Sequence, residues 1–332
     1  MAPLLPPSSS VADQAAPLLA LMNERLRLLE GGHSDDGASI HSDITLRLRA
    51  FLDASSLEFR RIDRSSASPV LDKIVAYEAV HPVRDSRDLA RRLADDRRYY
   101  ALFHRTLPDE PLIFTELAFT DALAANADAL LDPGSPACDP GAARCAVLYS
   151  ISSCHGGLKG IPLGNTLLAR VAAELDRTCP HLDTIATLSP VPGFRRWLAA
   201  ALPSSSDDLE RRQLVPLCAY YLLHVKRSGD PYDAVARFHL RNGARLERIN
   251  WLSHTSDAGM RISAGLMVNY LYRRRGAPSY DAWANGGDGH ASARVARLAR
   301  VGSTIVNATL LRSSPRGSQP CPPPDARSLP RA

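Results

Sequence analysis

Lysine is almost missing from this chain. Of its 40 basic residues only Lys73, Lys159 and Lys226 are lysines, and the arginines alternate with acids, as at Arg87, Asp88, Arg91, Arg92, Asp95, Asp96, Arg97 and Arg98. Mixed signs at that spacing read as a solvated face, so the net charge of +5 does not point to a nucleic-acid partner. No apolar run approaches the ~20 residues of a membrane span. Residues Met1 to Gln14 lack the basic start and unbroken apolar stretch of a signal peptide. A cytoplasmic protein with no membrane partner is expected. The six cysteines form no C-x-x-C pair, and no histidine stands at zinc-finger spacing from them, so no metal site is expected. Reduced thiols, some of them buried, are their ordinary reading in a cytosolic chain. Neither G-x-x-x-x-G-K-[ST] nor a clean G-x-G-x-x-G occurs.

What is present is an ordinary globular balance, 45% hydrophobic and 23% charged over 332 residues, enough for two domains or one large domain with extensions. Residues 1–41 read as a flexible start around one helix, Ala15 to Leu29. Leu18, Leu19, Met22 and Leu26 recur there at helical spacing and call for a neighbouring helix or a second subunit. Residues 42–84 read as mostly helical, with a serine-rich break before Pro69, which suits a first helical turn. Tyr99–His104 and Leu112–Phe119 read as a hairpin around the turn cluster Leu107–Pro111. Ala122–Leu131 reads as a helix.

Cys145–Ser153 reads as a strand buried on both faces. A glycine-bearing loop follows, then a helix from Asn165, then a strand from Thr184 to Val191, which together make a βαβ-like unit. Helices are expected near Phe194–Ala201 and Leu214–Val225, with a turn at Ser228–Pro231. A further helix from Asp233 ends at Asn242-Gly243, a pair suited to a left-handed cap. Arg245–Ser253 reads as a strand, Ala264–Tyr272 as strand or helix, and His290–Leu311 as a helix. The tail, 313–332, has the composition of a disordered segment.

Three places could carry chemistry. The loop from His155 to Asn165 precedes a helix start, where glycines and free N–H groups suit phosphate oxygens, although tight-turn glycines are the plainer explanation. Ser189 stands before Pro190, which holds its backbone extended, although a strand-ending turn is the plainer explanation. His239 falls on a helical face with Val235 and Ala236, where an imidazole can exchange a proton or serve as a hydrogen-bonded core residue. Nothing in the spacing pairs Ser189 with His239.

Four segments supply a pairing by resemblance: Tyr77-Glu78-Ala79-Val80-His81-Pro82-Val83, Leu148-Tyr149-Ser150-Ile151-Ser152, Leu188-Ser189-Pro190-Val191-Pro192-Gly193-Phe194, and Phe238-His239-Leu240-Arg241-Asn242-Gly243-Ala244. In this order, within Phe51 to Tyr272, they resemble the malonyl-CoA decarboxylase family. The resemblance implies an α+β fold, in which an N-terminal helical segment, here a shortened domain at 42–84, precedes a GNAT-like mixed α/β catalytic domain at 85–312. It implies conversion of malonyl-CoA to acetyl-CoA and CO2 through an enolate, with no cofactor. Ser189 and His239 fall on the catalytic pair and Tyr272, in Asn269-Tyr270-Leu271-Tyr272, on a supporting tyrosine. Lys159, Gly160, Ile161, Pro162, Leu163, Gly164 and Asn165 fall on the coenzyme A loop.

The chain departs from the family at Pro162, where some members carry glutamate, and in a shorter stretch between Trp197 and Leu214. It ends Leu329-Pro330-Arg331-Ala332 rather than in a peroxisomal tripeptide. The reduced helical part suggests a monomer or homodimer. A catalytically weakened coenzyme A-binding or regulatory protein of the same fold is the alternative.

Overall fold

The computed structural model describes residues 11–31, 35–202, 209–272 and 290–313. The expected flexible start before residue 11 and the expected disordered tail from 314 lie outside the described residues. Two units emerge, and the chain enters each more than once. The first comprises Met1–Ala118, Asp139–Gly141 and Ser150–Pro180; the second comprises Phe119–Cys138, Ala142–Tyr149 and His181–Ala332.

In the first unit α1 (Val11–Glu30) packs on α2 (Asp35–Phe51), burying Leu18 and Met22 of one and Ile44 and Leu48 of the other. The apolar face of the expected docking helix is therefore covered within the chain. The next element corrects the mostly helical reading of 42–84: Leu57–Ile62 is a strand, β1, antiparallel to β2 (Arg97–His104). Its Phe59 stacks on Tyr100 of β2 with ring centroids 5.1 Å apart, so cross-strand pairing outweighs the local helical pattern. Helix α3 (Ser68–Tyr77) has Pro69 in its first turn as expected, and Val70 and Ile74 join Tyr99, Phe103 and Phe114 in the core.

Helix α4 (Ser86–Arg92) is capped by Asp85, which accepts from the Asp88 N–H at 2.8 Å. The hairpin of β2 and β3 (Leu107–Thr120) turns at Arg105-Thr106, not at Leu107–Pro111. Those five residues lie within β3, where the register shifts between Leu102 and His104 and takes up Pro108 and Pro111, which lack an N–H to donate. The unit also holds the end of β4 (Cys145–Ser153), a 3₁₀ turn at Gly156–Leu158 and α6 (Leu163–Thr178), which lies against β2.

In the second unit α5 is only Ala127–Leu131, shorter than the expected helix, because Asn126 caps it by accepting from the Ala129 N–H. The start of β4 is parallel to β5 (Thr184–Thr187), with α6 between them in the chain, the βαβ order read from sequence. The expected strand 184–191 breaks at Leu188 into β5 and β6 (Ser189–Pro190), and both pair with β10 (Met267–Tyr272). The ambiguous 264–272 stretch is thus a strand. On its other edge β10 takes β9 (Arg245–Asn250).

Helices α7 (Phe194–Ala201), α8 (Arg211–His224), α9 (Ala234–Arg241), α10 (Asp257–Ser263) and α11 (Ala293–Ser313) belong to the same unit. A small hairpin, β7 (Lys226–Arg227) and β8 (Asp230–Pro231), forms the expected turn. Gly302 lets α11 cross α8 closely, since a Cβ there would come within 2.2 Å of the Pro216 carbonyl oxygen. Among the described residues no helix is long and apolar enough to cross a membrane.

Candidate active site

Ser189, His239 and Tyr272, far apart in sequence, meet in the second unit. Ser189 opens β6, where Pro190 stiffens the chain and Val268 of β10 stands opposite. His239 is placed by the cap of its helix. Asp233 accepts from the N–H groups of Val235 and Ala236 at 3.0 Å with one oxygen, and from the Gly193 N–H at 3.2 Å and the Tyr221 hydroxyl at 3.4 Å with the other. Gly193 is required there, because a Cβ would fall 2.0 Å from the Tyr221 oxygen. Gly243 has φ +79°, the left-handed end expected of this helix.

The three side chains form one file. Tyr272 Oη lies 2.9 Å from His239 Nδ1, His239 Nε2 lies 3.0 Å from Ser189 Oγ, and Ser189 Oγ lies 2.9 Å from Thr187 Oγ1. The His239 ring stacks on Tyr270 at 4.6 Å. Ser189 and His239 are 7% and 3% exposed, whereas Tyr272 is half-buried. Burial lowers the His239 pKa from 6.5 to about 3, so the imidazole is neutral at neutral pH, and burial pushes the Tyr272 hydroxyl above its usual value.

A neutral imidazole carries one N–H, and two proton arrangements satisfy the file. Tyr272 can donate to Nδ1 while Nε2 donates to Ser189 and Ser189 to Thr187. Alternatively Ser189 donates to Nε2 and Nδ1 donates to Tyr272, and the bond that Ser189 otherwise gives Thr187 is released. The file can therefore pass a proton along its length without creating a buried charge.

Sequence reasoning did not find Thr187, Tyr270, Asp233 or Asn269. Asn269 donates to the Thr187 carbonyl at 2.8 Å and to that of Ala124 at 2.9 Å, and accepts from Asn250 at 2.8 Å and Arg248 at 3.0 Å. It thereby ties β10 to the segment carrying Ser189. Asp233 had a usable signal, an acidic residue just before a helix start. Asn269 and Tyr270 stood beside Tyr272 in the same motif without a role of their own, and Thr187, two residues before Ser189, carried no signal, because residues two apart share a face in any strand.

The glycine loop lies in the first unit. Lys159, Gly160, Pro162 and Asn165 are exposed, while Ile161, Leu163 and Gly164 are buried and anchor it. Gly160 has φ +81°, which only glycine adopts without strain. The α6 start has no side-chain cap and no acidic residue in its first turn, a setting open to an anion. The glycines just before it serve packing: a Cβ on Gly157 would lie 2.0 Å from the Met22 carbonyl oxygen, and one on Gly156 2.8 Å from Leu26 Cδ1. Two sequence motifs also meet nearby. The buried Glu78 carboxylate accepts from the Ser150 hydroxyl at 2.8 Å, the Ser152 hydroxyl at 3.1 Å and the N–H groups of Val80 and His81 at 2.8 Å.

Residues 55–211 and 203–309 match the malonyl-CoA decarboxylase C-terminal domain. The chain is 32% identical over 292 residues to the mitochondrial malonyl-CoA decarboxylase of Anser anser anser, covering 74% of this chain and 57% of that one. With the enzyme of that name from Rattus norvegicus it shares 32% identity over 295 residues, 75% of this chain and 59% of the relative. It therefore spans somewhat over half the length of these curated relatives. The crystal structure of malonyl-CoA decarboxylase from Agrobacterium vitis is similar with a TM-score of 0.76 and 37% identity, covering 84% of this chain and 75% of that one. That from Rhodopseudomonas palustris has a TM-score of 0.75 and 36% identity over the same shares of each chain.

Proposed function

The chain belongs to the malonyl-CoA decarboxylase family, and from that premise we propose that it is a carboxy-lyase converting malonyl-CoA to acetyl-CoA and CO2. The observation that carries this reading is the neutral file of Tyr272, His239 and Ser189. Decarboxylation breaks the bond between the carboxylate carbon and the α-carbon. The electron pair moves into the thioester as an enolate, so the substrate is its own electron sink. One proton must then reach the α-carbon, and a positioned donor is worth about 10²- to 10⁴-fold in rate.

Ser189 is the donor in this reading. Its hydroxyl proton goes to the α-carbon and is replaced from His239 Nε2. His239 Nδ1 takes the Tyr272 proton, and half-buried Tyr272 recovers one from solvent. A relay fits His239 better than an imidazolium acid, since the buried ring holds no second proton near pH 7. Desolvation around the pair also favours loss of a charged carboxylate as neutral CO2.

In the first unit the exposed part of the Lys159–Asn165 loop takes the coenzyme A diphosphate on the α6 start, with Lys159 as a nearby cation. Gly164→Val should then raise KM for malonyl-CoA more than it lowers kcat. The same reading takes the protein as cytoplasmic, consistent with reduced thiols at Cys145, Cys154 and Cys218. It also takes the protein as a monomer or homodimer, which light scattering checks; a stable tetramer would overturn that part.

The deciding experiment incubates the purified chain with malonyl-CoA and follows CO2 and acetyl-CoA in equal amounts. Coenzyme A binding without either product would leave a binding protein instead.

A further inference from the structure

Arg25 is unusual for a charged residue on an N-terminal helix: it is 4% exposed. It lies on the buried face of α1, one turn after Met22, where the helix backbone runs against the 3₁₀ turn so closely that Gly157 has no room for a side chain. One guanidinium nitrogen donates to the Gly157 carbonyl and Nε donates to Thr45 Oγ1 at 3.0 Å, whose hydroxyl in turn donates to the His41 carbonyl at 2.7 Å. Arg25 therefore fastens α1, α2 and the turn together. Among the described residues its acceptors, the Gly157 carbonyl and the Thr45 hydroxyl, are neutral oxygens. The charge that acts on it among the described residues is Arg49, of the same sign, and with burial it lowers the Arg25 pKa.

A guanidinium is always ionised in proteins, so this charge cannot be relieved by losing its proton. A buried charge is costly unless an opposite charge faces it, so an anionic ligand beside Arg25 would offset that cost. The third guanidinium nitrogen, Nη2, points at the substrate loop, 3.9 Å from where a Cβ on Gly160 would stand. Gly160 is exposed, and the uncapped α6 start with no acid in its first turn follows within three residues. The partial charge of that helix start and the full charge of Arg25 have the same sign and bear on the same short loop.

We propose that Arg25 is the counter-charge for the diphosphate of the coenzyme A thioester held by the Lys159–Asn165 loop. This rests on the reading of that loop given above, and it assigns to the N-terminal helix a part in binding the nucleotide end of the substrate. The acyl and pantetheine portions carry no phosphate and are indifferent to Arg25. The charge thus separates coenzyme A thioesters from thioesters on a bare pantetheine arm.

Calorimetric titration of the full chain with coenzyme A and with pantetheine tests this. Arg25→Gln keeps a donor for Gly157 and removes the charge. It should weaken coenzyme A binding about tenfold, equivalent to about 1.4 kcal/mol, and leave pantetheine binding unchanged. Arg25→Lys restores the charge and should recover most of the loss. Unchanged coenzyme A affinity in Arg25→Gln, or an equal loss for both ligands, would overturn the assignment in favour of a purely structural arginine.

If Arg25→Gln does not fold, the wild type and Arg25→Lys still decide. Inorganic pyrophosphate should raise the wild-type melting temperature beyond chloride of equal ionic strength, and Arg25→Lys should retain that response. Absence of the response in either protein would count against the counter-charge. A chain that binds coenzyme A through Arg25 yet releases no CO2 from malonyl-CoA would sink the decarboxylase reading and leave this one standing.

Discussion

Two buried polar clusters in this molecule follow opposite rules. In the first unit Arg91, Arg92 and Arg97 meet Asp88, Asp96 and Glu116, and all six are nearly or fully buried. Arg92 donates to Asp88 at 2.9 and 3.1 Å, to Glu116 at 3.3 Å and to the His81 carbonyl at 2.7 Å, while Arg91 grips Asp96 with two bonds of 2.6 and 2.8 Å. Burial acts to raise the Asp88 pKa, but hydrogen bonds from Arg92 and Arg84 hold it below its ordinary value. In the second unit the Ser189, His239 and Tyr272 file carries no charge at all. A cluster that only holds the fold can bury full charges if each has its opposite. A cluster that must move a proton is better kept neutral, because each transfer then leaves no stranded ion.

The comparison breaks most visibly if the neutral file is interrupted. Ser189→Ala and His239→Ala should each lower turnover of malonyl-CoA by about 10²- to 10⁴-fold while substrate binding survives. Steady-state rates with a parallel binding titration check this, and near-wild-type turnover in either variant would remove that residue from the relay.

Arg92→Met should instead unfold rather than inactivate. It strips buried Asp88 and Glu116 of a shared partner, a loss of about 3–5 kcal/mol in urea denaturation, with turnover per folded molecule kept. A loss below 1 kcal/mol would mean that the ionic cluster is cosmetic.

The pH response separates the two regions more finely. His239 has a folded pKa below its unfolded value, so its contribution to stability is complete above about pH 6.5 and declines as the pH falls towards 3. The slope is about 1.4 kcal/mol per pH unit for one proton, and His239→Gln should lack it. Asp88, also depressed, loses its contribution only as the pH falls below the ordinary carboxylate range. For the same reason kcat/KM should show no decline as pH rises through 6.5. Such a decline would point to an imidazolium acid in place of the relay.

The smallest effect is expected at Asp85. Removing this cap of α4, the helix that presents Asp88 and Arg92, with Asp85→Ala should cost about 1 kcal/mol of stability. Turnover should not change.

Local rules determined much of this protein. A largely apolar run with small hydroxyls at its end made β4 readable from Cys145 to Ser153, the apolar stripe made α6 readable, and Asn242-Gly243 marked the end of the His239 helix. Each of these depends on residues within a few positions of one another. Leu57–Ile62 read wrongly because its strand character comes from Tyr100 and the rest of β2, some 40 residues away.

The chemistry was decided in the same distant way. The register that sets Val268 opposite Ser189 brings Tyr272 to His239, and the cap at Asp233 aims that histidine across to β6. Only the folded sheet brings those residues together, since hydrogen bonds of 3 Å between positions 33 and 50 residues apart leave no period in a sequence. Arg25 follows the same logic. In sequence it is one more arginine on a helix, and only packing shows that it is buried and that its acceptors among the described residues are neutral oxygens.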